Sequence, residues 1–337
     1  MFIINSDTLK RIIAKVGNLI DNDDVIKLNA CEFQSANYRE VFNSAVTNSN
    51  ETFYIRFEML KKLSKKLAKN YNVKFYNGKM IIKNVKFNAF EPIKFERINT
   101  RTHNNSFLIN SELLSKKLMI VKSVINLSVP KNELRNVLFD MTNDTLKIVS
   151  TDTRRLSISK LDILNSIESS EKIMMNAKKL TAIIKLLKGV EGEIKVTFDK
   201  EFIIFEGGGM SFNVPVFAGS YPNYERIVPR LAGSIGTFIS ADVISIIDLV
   251  TINQGDIIFK NSGNGVLNIS DVEQRISGAV ETDNNSAFEF AFNSKYMIDF
   301  IKHFSNFELS FYKTNLPFML DNGRDKMVIM PIVLRDD

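Results

Sequence analysis

Apolar positions recur along this chain in one order: a short apolar run, one or two small polar residues, then a stretch with helical spacing. In FLINSELLSKKLMIV, Phe107, Leu108 and Ile109 read as a strand. Asn110 and Ser111 can cap a helix, Glu112 suits the positive end of its dipole, and Leu114, Leu118 and Val121 share one helical side. The same order begins at Phe2, Phe53, Ile173, Phe238 and Phe290, so six copies lie roughly 50 to 65 residues apart. The predicted helices are Asp7 to Ile20, Phe57 to Asn70, Ser111 to Lys122, Asn176 to Lys188, Ala241 to Val250 and Asn293 to Phe304.

Two or three strand-like runs follow each helix, divided by turn residues. Asn77-Gly78 separates VKFY from KMIIKNVKF, and both residues tolerate positive φ, as a tight hairpin requires. Asn143-Asp144, Asp199-Lys200, Gly207 to Gly209, Ser262 to Gly265 and Asp321 to Asp325 divide later runs in the same way. The repeat is therefore β-α-β-β-β, an α+β pattern, and one helix covering one sheet face needs a neighbour to complete its core. Pairing successive repeats gives three similar domains. Both signals lapse at ERINTRTHNN, from Glu96, and at RIVPRLAGS, from Arg226, which sets the boundaries at 1–104, 105–232 and 233–337.

Composition narrows the class. At 337 residues, 45% hydrophobic and 24% charged, the chain reads as a soluble globular protein with ample core. A single cysteine, Cys31, cannot form an internal disulfide, and MFIINSDTLK lacks the pattern of an export signal. No run approaches the apolar length of a membrane span, so the expected location is the cytoplasm, with no membrane partner. Charge adds more through its placement than through the net +6. The six predicted helices hold 17 of the 44 Lys and Arg but only 6 of the 38 Asp and Glu, leaving the remainder acidic. Lysine on the wet face of a helix is expected on structural grounds, yet five basic helices would also present a polyanion with one concentrated field. The fifth helix is the exception: it carries Asp242 and Asp248 and no Lys or Arg, which suits contact with protein.

Signs of catalysis are missing from the sequence. There is no GxxxxGK[ST], Gly263-Asn264-Gly265 lacks the third glycine of a dinucleotide site, and Gly207 to Gly209 reads as a hairpin turn. His103 and His303 stand in neither HExxH nor CxxC spacing, and Cys31 has no adjacent base. No catalytic residue, metal site or cofactor is expected.

Three stretches carry a family resemblance. LRNVLFDMTNDTLKIVSTDTRRLSISKL, from Leu134, is similar to a hairpin ending in TDxxRL; SYPNYERIVP, from Ser220, looks like an FPDYxxxxP linker; VIMPIVL, from Val328, looks like a closing VxMPxxL. In this order and spacing they resemble the bacterial DNA polymerase III β subunits, the sliding clamps. The resemblance implies a DNA-clamp fold, with antiparallel sheets outside and helices lining a central hole. It also implies a non-catalytic processivity factor that encircles double-stranded DNA without reading its sequence, as a head-to-tail homodimer.

By the same resemblance, peptides of the polymerase III catalytic subunit and the clamp loader dock in an apolar pocket between the second and third domains, with repair polymerases and mismatch-repair proteins as further users. Its matching positions are Leu134, Thr151, Thr153, Arg154, Arg155 and Leu156; Pro222, Arg226 and Ile227; Asn293 and Tyr296; and Val328, Met330, Pro331 and Leu334. Arg155 or Arg226 is expected to orient the peptide. The family commonly has glycine and histidine where this chain has Thr153 and Arg154.

Inward-facing helices would turn Lys10, Arg11, Lys15, Lys62, Lys66 and Lys69 toward DNA, together with Lys116, Lys117, Lys122, Lys178, Lys179 and Lys185. The ring interface is expected at the strand with Phe87 and Ala89 and on the uncharged helix near Ile246, Leu249 and Val250. The alternative is a basic repeat protein that binds nucleic acid through an open surface, without ring topology.

Overall fold

The computed structural model describes residues 1–17, 19–29, 32–41, 51–68, 71–90, 105–164, 167, 170–229, 233–252, 255–313 and 315–332. Six β-α-β-β-β repeats run through them. The first holds β1 (Phe2–Asn5), α1 (Ser6–Val16), β2 (Val25–Leu28), β3 (Glu32–Gln34) and β4 (Tyr38–Val41). The second holds β5 (Phe53–Arg56), α2 (Phe57–Lys66), β6 (Asn72–Tyr76), β7 (Lys79–Ile82) and β8 (Val85–Asn88). The third holds β9 (Ser106–Asn110), α3 (Ser111–Lys122), β10 (Asn136–Met141), β11 (Thr145–Thr151) and β12 (Arg155–Asp162). The fourth holds β13 (Glu171–Asn176), α4 (Leu180–Lys188), β14 (Glu193–Phe198), β15 (Phe202–Gly207) and β16 (Met210–Pro215). The fifth holds β17 (Gly233–Ile239), α5 (Ser240–Val250), β18 (Asp256–Ser262), β19 (Val266–Asp271) and β20 (Ser277–Glu281). The sixth holds β21 (Ala287–Asn293), α6 (Ser294–Ile301), β22 (Asn306–Phe311), β23 (Phe318–Asp321) and β24 (Asp325–Ile329).

Helix starts follow the expected chemistry. The Asn110 side-chain oxygen accepts from the Leu113 N–H at 2.9 Å, and Asn5 accepts from Asp7 N–H at 2.8 Å. Helix ends are shorter than the periodicity predicts. Helix α1 stops at Val16, because Leu19 and Ile20 both donate backbone N–H to the Val16 carbonyl in a turn. Strand β13 runs on to Asn176, and a 3-10 turn at Ala177–Lys179 precedes α4. Helix α6 ends at Ile301 rather than Phe304.

All the strand pairings among the described residues are antiparallel. The opening strand of each repeat joins its neighbour's sheet: β1 pairs β6 and β5 pairs β2, β9 pairs β14 and β13 pairs β10, β17 pairs β22 and β21 pairs β18. Neither member of a pair is complete alone.

Contacts group the chain into two compact units, Met1–Lys116 with Ile163–Ser169 and Lys178–Val216, and Lys117–Asp162 with Ser170–Ala177 and Phe217–Asp337. Each holds one eight-stranded and one four-stranded sheet. In the first, β5-β2-β3-β4-β16-β15-β14-β9 lies with β1-β6-β7-β8; in the second, β13-β10-β11-β12-β24-β23-β22-β17 lies with β20-β19-β18-β21. The segment expected as a middle domain is therefore shared, because hydrogen bonds join β4 to β16 and β12 to β24. In the first core Phe2 stacks on Phe75 at 4.4 Å between ring centroids. In the second, Phe292 lies 4.8 Å from both Phe259 and Phe318.

Turn residues behave as their chemistry dictates. Asn77 and Gly78 have φ of 49° and 64°, and Gly208 and Gly209 have 56° and 73°, the left-handed pairs of two-residue hairpins. The glycine run at 207–209 is thus a strand turn. No helix among the described residues is long and apolar enough to cross a membrane.

Candidate functional site

The site is built on the second unit, where β12 pairs β24 with Arg155 opposite Ile329 and Leu156 opposite Val328. Strand β24 pairs β23 on its other side, so the apolar end of the chain is an interior strand. Beyond it, Met330 N–H donates to the Arg154 carbonyl and Ile332 N–H to the Ala291 carbonyl. Side chains alternate across a sheet, and one face of these strands gathers Leu138, Val149, Leu156, Ile158, Met174 and Val328 around the buried Tyr224. Tyr221, Phe217, Val228 and Met319 pack on the rim.

Tyr224 comes from the linker and is fixed there by its hydroxyl, which donates to Asp140 Oδ2 at 2.7 Å. Burial, and then Asp140, push its phenol far up, so it is a neutral donor. Beside this floor lies an apolar cavity of 620 Å³ lined by Ile227, Val228, Pro229, Tyr312, Leu316 and Pro317, with Arg226 at its edge. Ile227, Tyr312 and Leu316 are exposed there, unlike ordinary core residues.

The predicted pocket residues do not all converge. Leu156, Val328, Arg226 and Ile227 belong to the floor or the apolar cavity. Pro222, Thr153, Arg154 and Met330 are exposed, Thr151 and Pro331 are half-buried, and Leu334 lies outside the described residues. Leu134 sits in a 3-10 turn, Asn132–Arg135, and is not among the members of the floor; Leu138 fills that role, opposite Val149 in the β10–β11 register. Sequence alternation could not single it out, since all six residues of β10 are buried.

Arg155 is also a correction. Its Nε donates to Asp152 Oδ2 at 3.0 Å, Nη1 to Asp299 Oδ2 at 2.9 Å and Nη2 to the Ser123 carbonyl at 2.7 Å. Its guanidinium lies 4.3 Å from the Tyr296 ring centroid. All three nitrogens are thus committed within the fold, and Arg226 is left to orient a ligand. Arg155 and Tyr296 line a separate, polar cavity of 610 Å³ with Lys122, Asp299, Lys302 and His303. Asn293 donates to Asp256 Oδ1 at 3.0 Å.

The turn between these features is strained. Thr151 hydroxyl donates to the Arg155 carbonyl, Arg154 and Arg155 N–H both donate to Asp152 Oδ1, and Thr153 is held at φ 78°. A β-branched residue rarely adopts that angle. A glycine would, which is the residue the resemblance places there.

Comparison with known proteins bears on the same segments. A family model described as "DNA polymerase III beta subunit, central domain" matches residues 109–223. The beta sliding clamp of Staphylococcus aureus is 28% identical over 245 residues, covering 66% of this chain and 64% of that protein, which is under two thirds of its length. Among solved structures, a Pseudomonas aeruginosa sliding clamp superposes with a TM-score of 0.84 at 17% identity, covering 99% of each chain. A Helicobacter pylori beta clamp bound to a DNA ligase peptide gives 0.85 at 17% identity, covering 98% of this chain and 99% of that one. The chain belongs to the DNA polymerase III β-subunit family of sliding clamps. Its clamp fold runs nearly from end to end.

On this clamp the cations sort differently from the expected set. Lys117 is withdrawn: it is 8% exposed and ion-paired to Asp325, which is fully buried. Lys15 and Arg11 are held by Glu40, Lys62 by Glu58, Lys116 by Glu112 and Lys179 by Asp21. Lys10 donates to the Leu67 carbonyl and Lys185 to that of Ala14. Lys66, Lys122 and Lys178 are exposed, and Lys69 lies outside the described residues. A groove of 430 Å³ between α1 and α2 brings Lys10 together with Lys61 and Lys65, which the sequence reading did not choose.

The two expected interface patches are of different kinds. Phe87 and Ala89 lie on and just beyond β8, the edge strand of its four-stranded sheet, and are half-buried. On α5 Leu249 is 68% exposed and Ile246 half-buried, but Val250 is 2% exposed and belongs to the clamp's own core. Ile252, just past the helix, is 73% exposed and takes the place expected for Val250.

Proposed function

We propose that this chain is a DNA sliding clamp in action as well as in fold. Two copies join head to tail into a ring of six domains, 1–104, 105–232 and 233–337 from each, with helices facing a central hole. Duplex DNA passes through it, held by phosphate contacts that position without reading sequence. Peptides of the polymerase III catalytic subunit, the clamp loader and repair proteins dock in the cavity beside Ile227, in the cytoplasm. The protein makes and breaks no bond. Its work is topological.

The observation that carries this reading is the exposed apolar cavity at Arg226 to Pro229 beside the floor on β12 and β24, in a chain of the clamp family. An open apolar pocket with one free cation suits a short peptide with aliphatic anchors. The peptide-bound Helicobacter pylori clamp supports the class of ligand. The exposed lysines of α2, α3 and α4 support the DNA-facing surface, and exposed Leu249 and Ile252 support a protein partner at α5.

Encirclement has a decisive test. Loaded on nicked circular plasmid by a clamp loader and ATP, the protein should co-elute with DNA on gel filtration and be lost when the plasmid is linearised. Equal retention on both forms would favour the open-surface alternative. Leu249→Asp combined with Ile252→Asp should give monomers by light scattering, and an unchanged dimer would remove α5 from the interface.

A further inference from the structure

A second cavity of 340 Å³ shares Val228 and Pro229 with the apolar one and continues it over Tyr224 and Ile158. Its floor is apolar, but its rim is cationic: Lys147, Lys160, Arg324 and Lys326, against one carboxylate, Glu225. The strand register makes this unusual. Lys147 and Lys160 are direct cross-strand partners on β11 and β12, and Lys326 stands opposite Ile158, two residues from Lys160 on the same face. Like charges placed directly opposite each other destabilise a sheet, so the arrangement costs folding free energy. Places where a chain breaks such a local rule are expected where a ligand compensates.

The rim cations are not equally available. Lys147 pairs loosely with Glu225 at 3.4 Å, Arg324 with Asp162 at 2.6 Å and Lys326 with Asp321 at 2.9 Å. Lys160 is exposed and has no ion-pair partner among the described residues. A polyphosphate backbone would need several free cations in a row, and three of these four already hold carboxylates. One unpaired ammonium beside an apolar floor fits one carboxylate on a chain whose apolar side chains fill the neighbouring cavity.

We propose that this second cavity is a specificity subsite for an acidic residue flanking the apolar anchor of a docking peptide, with Lys160 as the group that pairs with it. The inference rests on the peptide-docking reading above and adds the chemistry of the flank. The flank's aliphatic portion lies on Ile158, Val228 and Pro229, and Lys326 lends long-range attraction.

Fluorescence polarisation on the full chain tests it with labelled synthetic nonapeptides. Each carries one leucine-phenylalanine anchor, with aspartate or asparagine on either side of it. The aspartate peptide of the favoured polarity should bind about tenfold tighter than its asparagine isostere, an advantage lost near 0.5 M NaCl. Lys160→Gln should erase the difference while leaving the asparagine peptide's affinity and the melting temperature unchanged. Should that variant misfold, Lys326→Gln should reduce the same difference. Equal binding of aspartate and asparagine peptides, or an aspartate preference that survives Lys160→Gln, would overturn the subsite and leave the docking reading intact. Failure of every peptide to bind would remove the docking reading itself. Displacement of the aspartate peptide by an equimolar single-stranded oligonucleotide would assign the rim to nucleic acid and overturn the proposal.

Discussion

Lys116 and Lys117 are neighbours on one helix, yet they belong to different regions of the molecule. Lys116 lies on the wet face and pairs with Glu112 one turn back at 2.8 Å, where both side chains are well exposed. Lys117 points into the second unit and meets Asp325 on β24. Charge on a helix thus signals a ligand only where the charge stays wet. Truncation separates the two cases. Lys117→Ala leaves Asp325 as an uncompensated buried charge and should cost about 3–5 kcal/mol in urea melts. Lys116→Ala should fall within about 0.5 kcal/mol. Replacing Lys117 and Asp325 together by methionine and leucine should recover most of the loss.

The two arginines of the docking region repeat the contrast on a smaller scale. Arg155 is internally satisfied, whereas Arg226 is exposed beside the apolar cavity. Arg155→Ala strips partners from Asp152, Asp299 and the Ser123 carbonyl and should cost about 3 kcal/mol of stability. Arg226→Ala should leave the melt within about 0.5 kcal/mol and weaken peptide binding instead. A reversal of those two outcomes would break the distinction. Next in size is Thr153→Gly, which relieves the left-handed strain at that turn and should raise stability by up to about 1 kcal/mol, read from the shift in urea midpoint.

The repeat was legible in the sequence because each copy carries its own cap and hairpin residues: Asn110, Asn5 and Asn77-Gly78 do locally what their side chains and backbone permit. What could not be read was anything set by contacts distant in sequence. Lys117 meets a residue 208 positions away, and Arg155 one 144 positions away. Both were placed on functional surfaces because their spacing matched. Leu138 was passed over because a strand buried on both faces has no polar alternation to mark its ligand side. Val250 was placed at a partner surface because a lysine-free helix looks equally apolar on its core and outer sides until packing distinguishes Val250 from Leu249.

The smallest expected effect tests the same division of buried from exposed charge through pH. Burial, and then the nearby Lys302, depress the pKa of His303 below its ordinary 6.5, although Asp299 and Asp325 pull the other way. The unfolded chain therefore takes up a proton near pH 6.5 that the folded chain still resists, so the stabilising contribution is present above that pH. It declines as pH falls from about 6.5 toward the lowered folded value and then levels off. Asp299 acts in a different window: burial raises its pKa, but hydrogen bonds from Lys302 and Arg155 outweigh burial and hold it below 3.8, so its contribution fades only in stronger acid. Melting curves between pH 7.5 and 5.5 should thus fall less steeply for His303→Gln than for the wild-type chain. Parallel slopes would mean that the imidazole is as well hydrated as an exposed one, and the polar cavity around Arg155 would then belong with the wet surfaces.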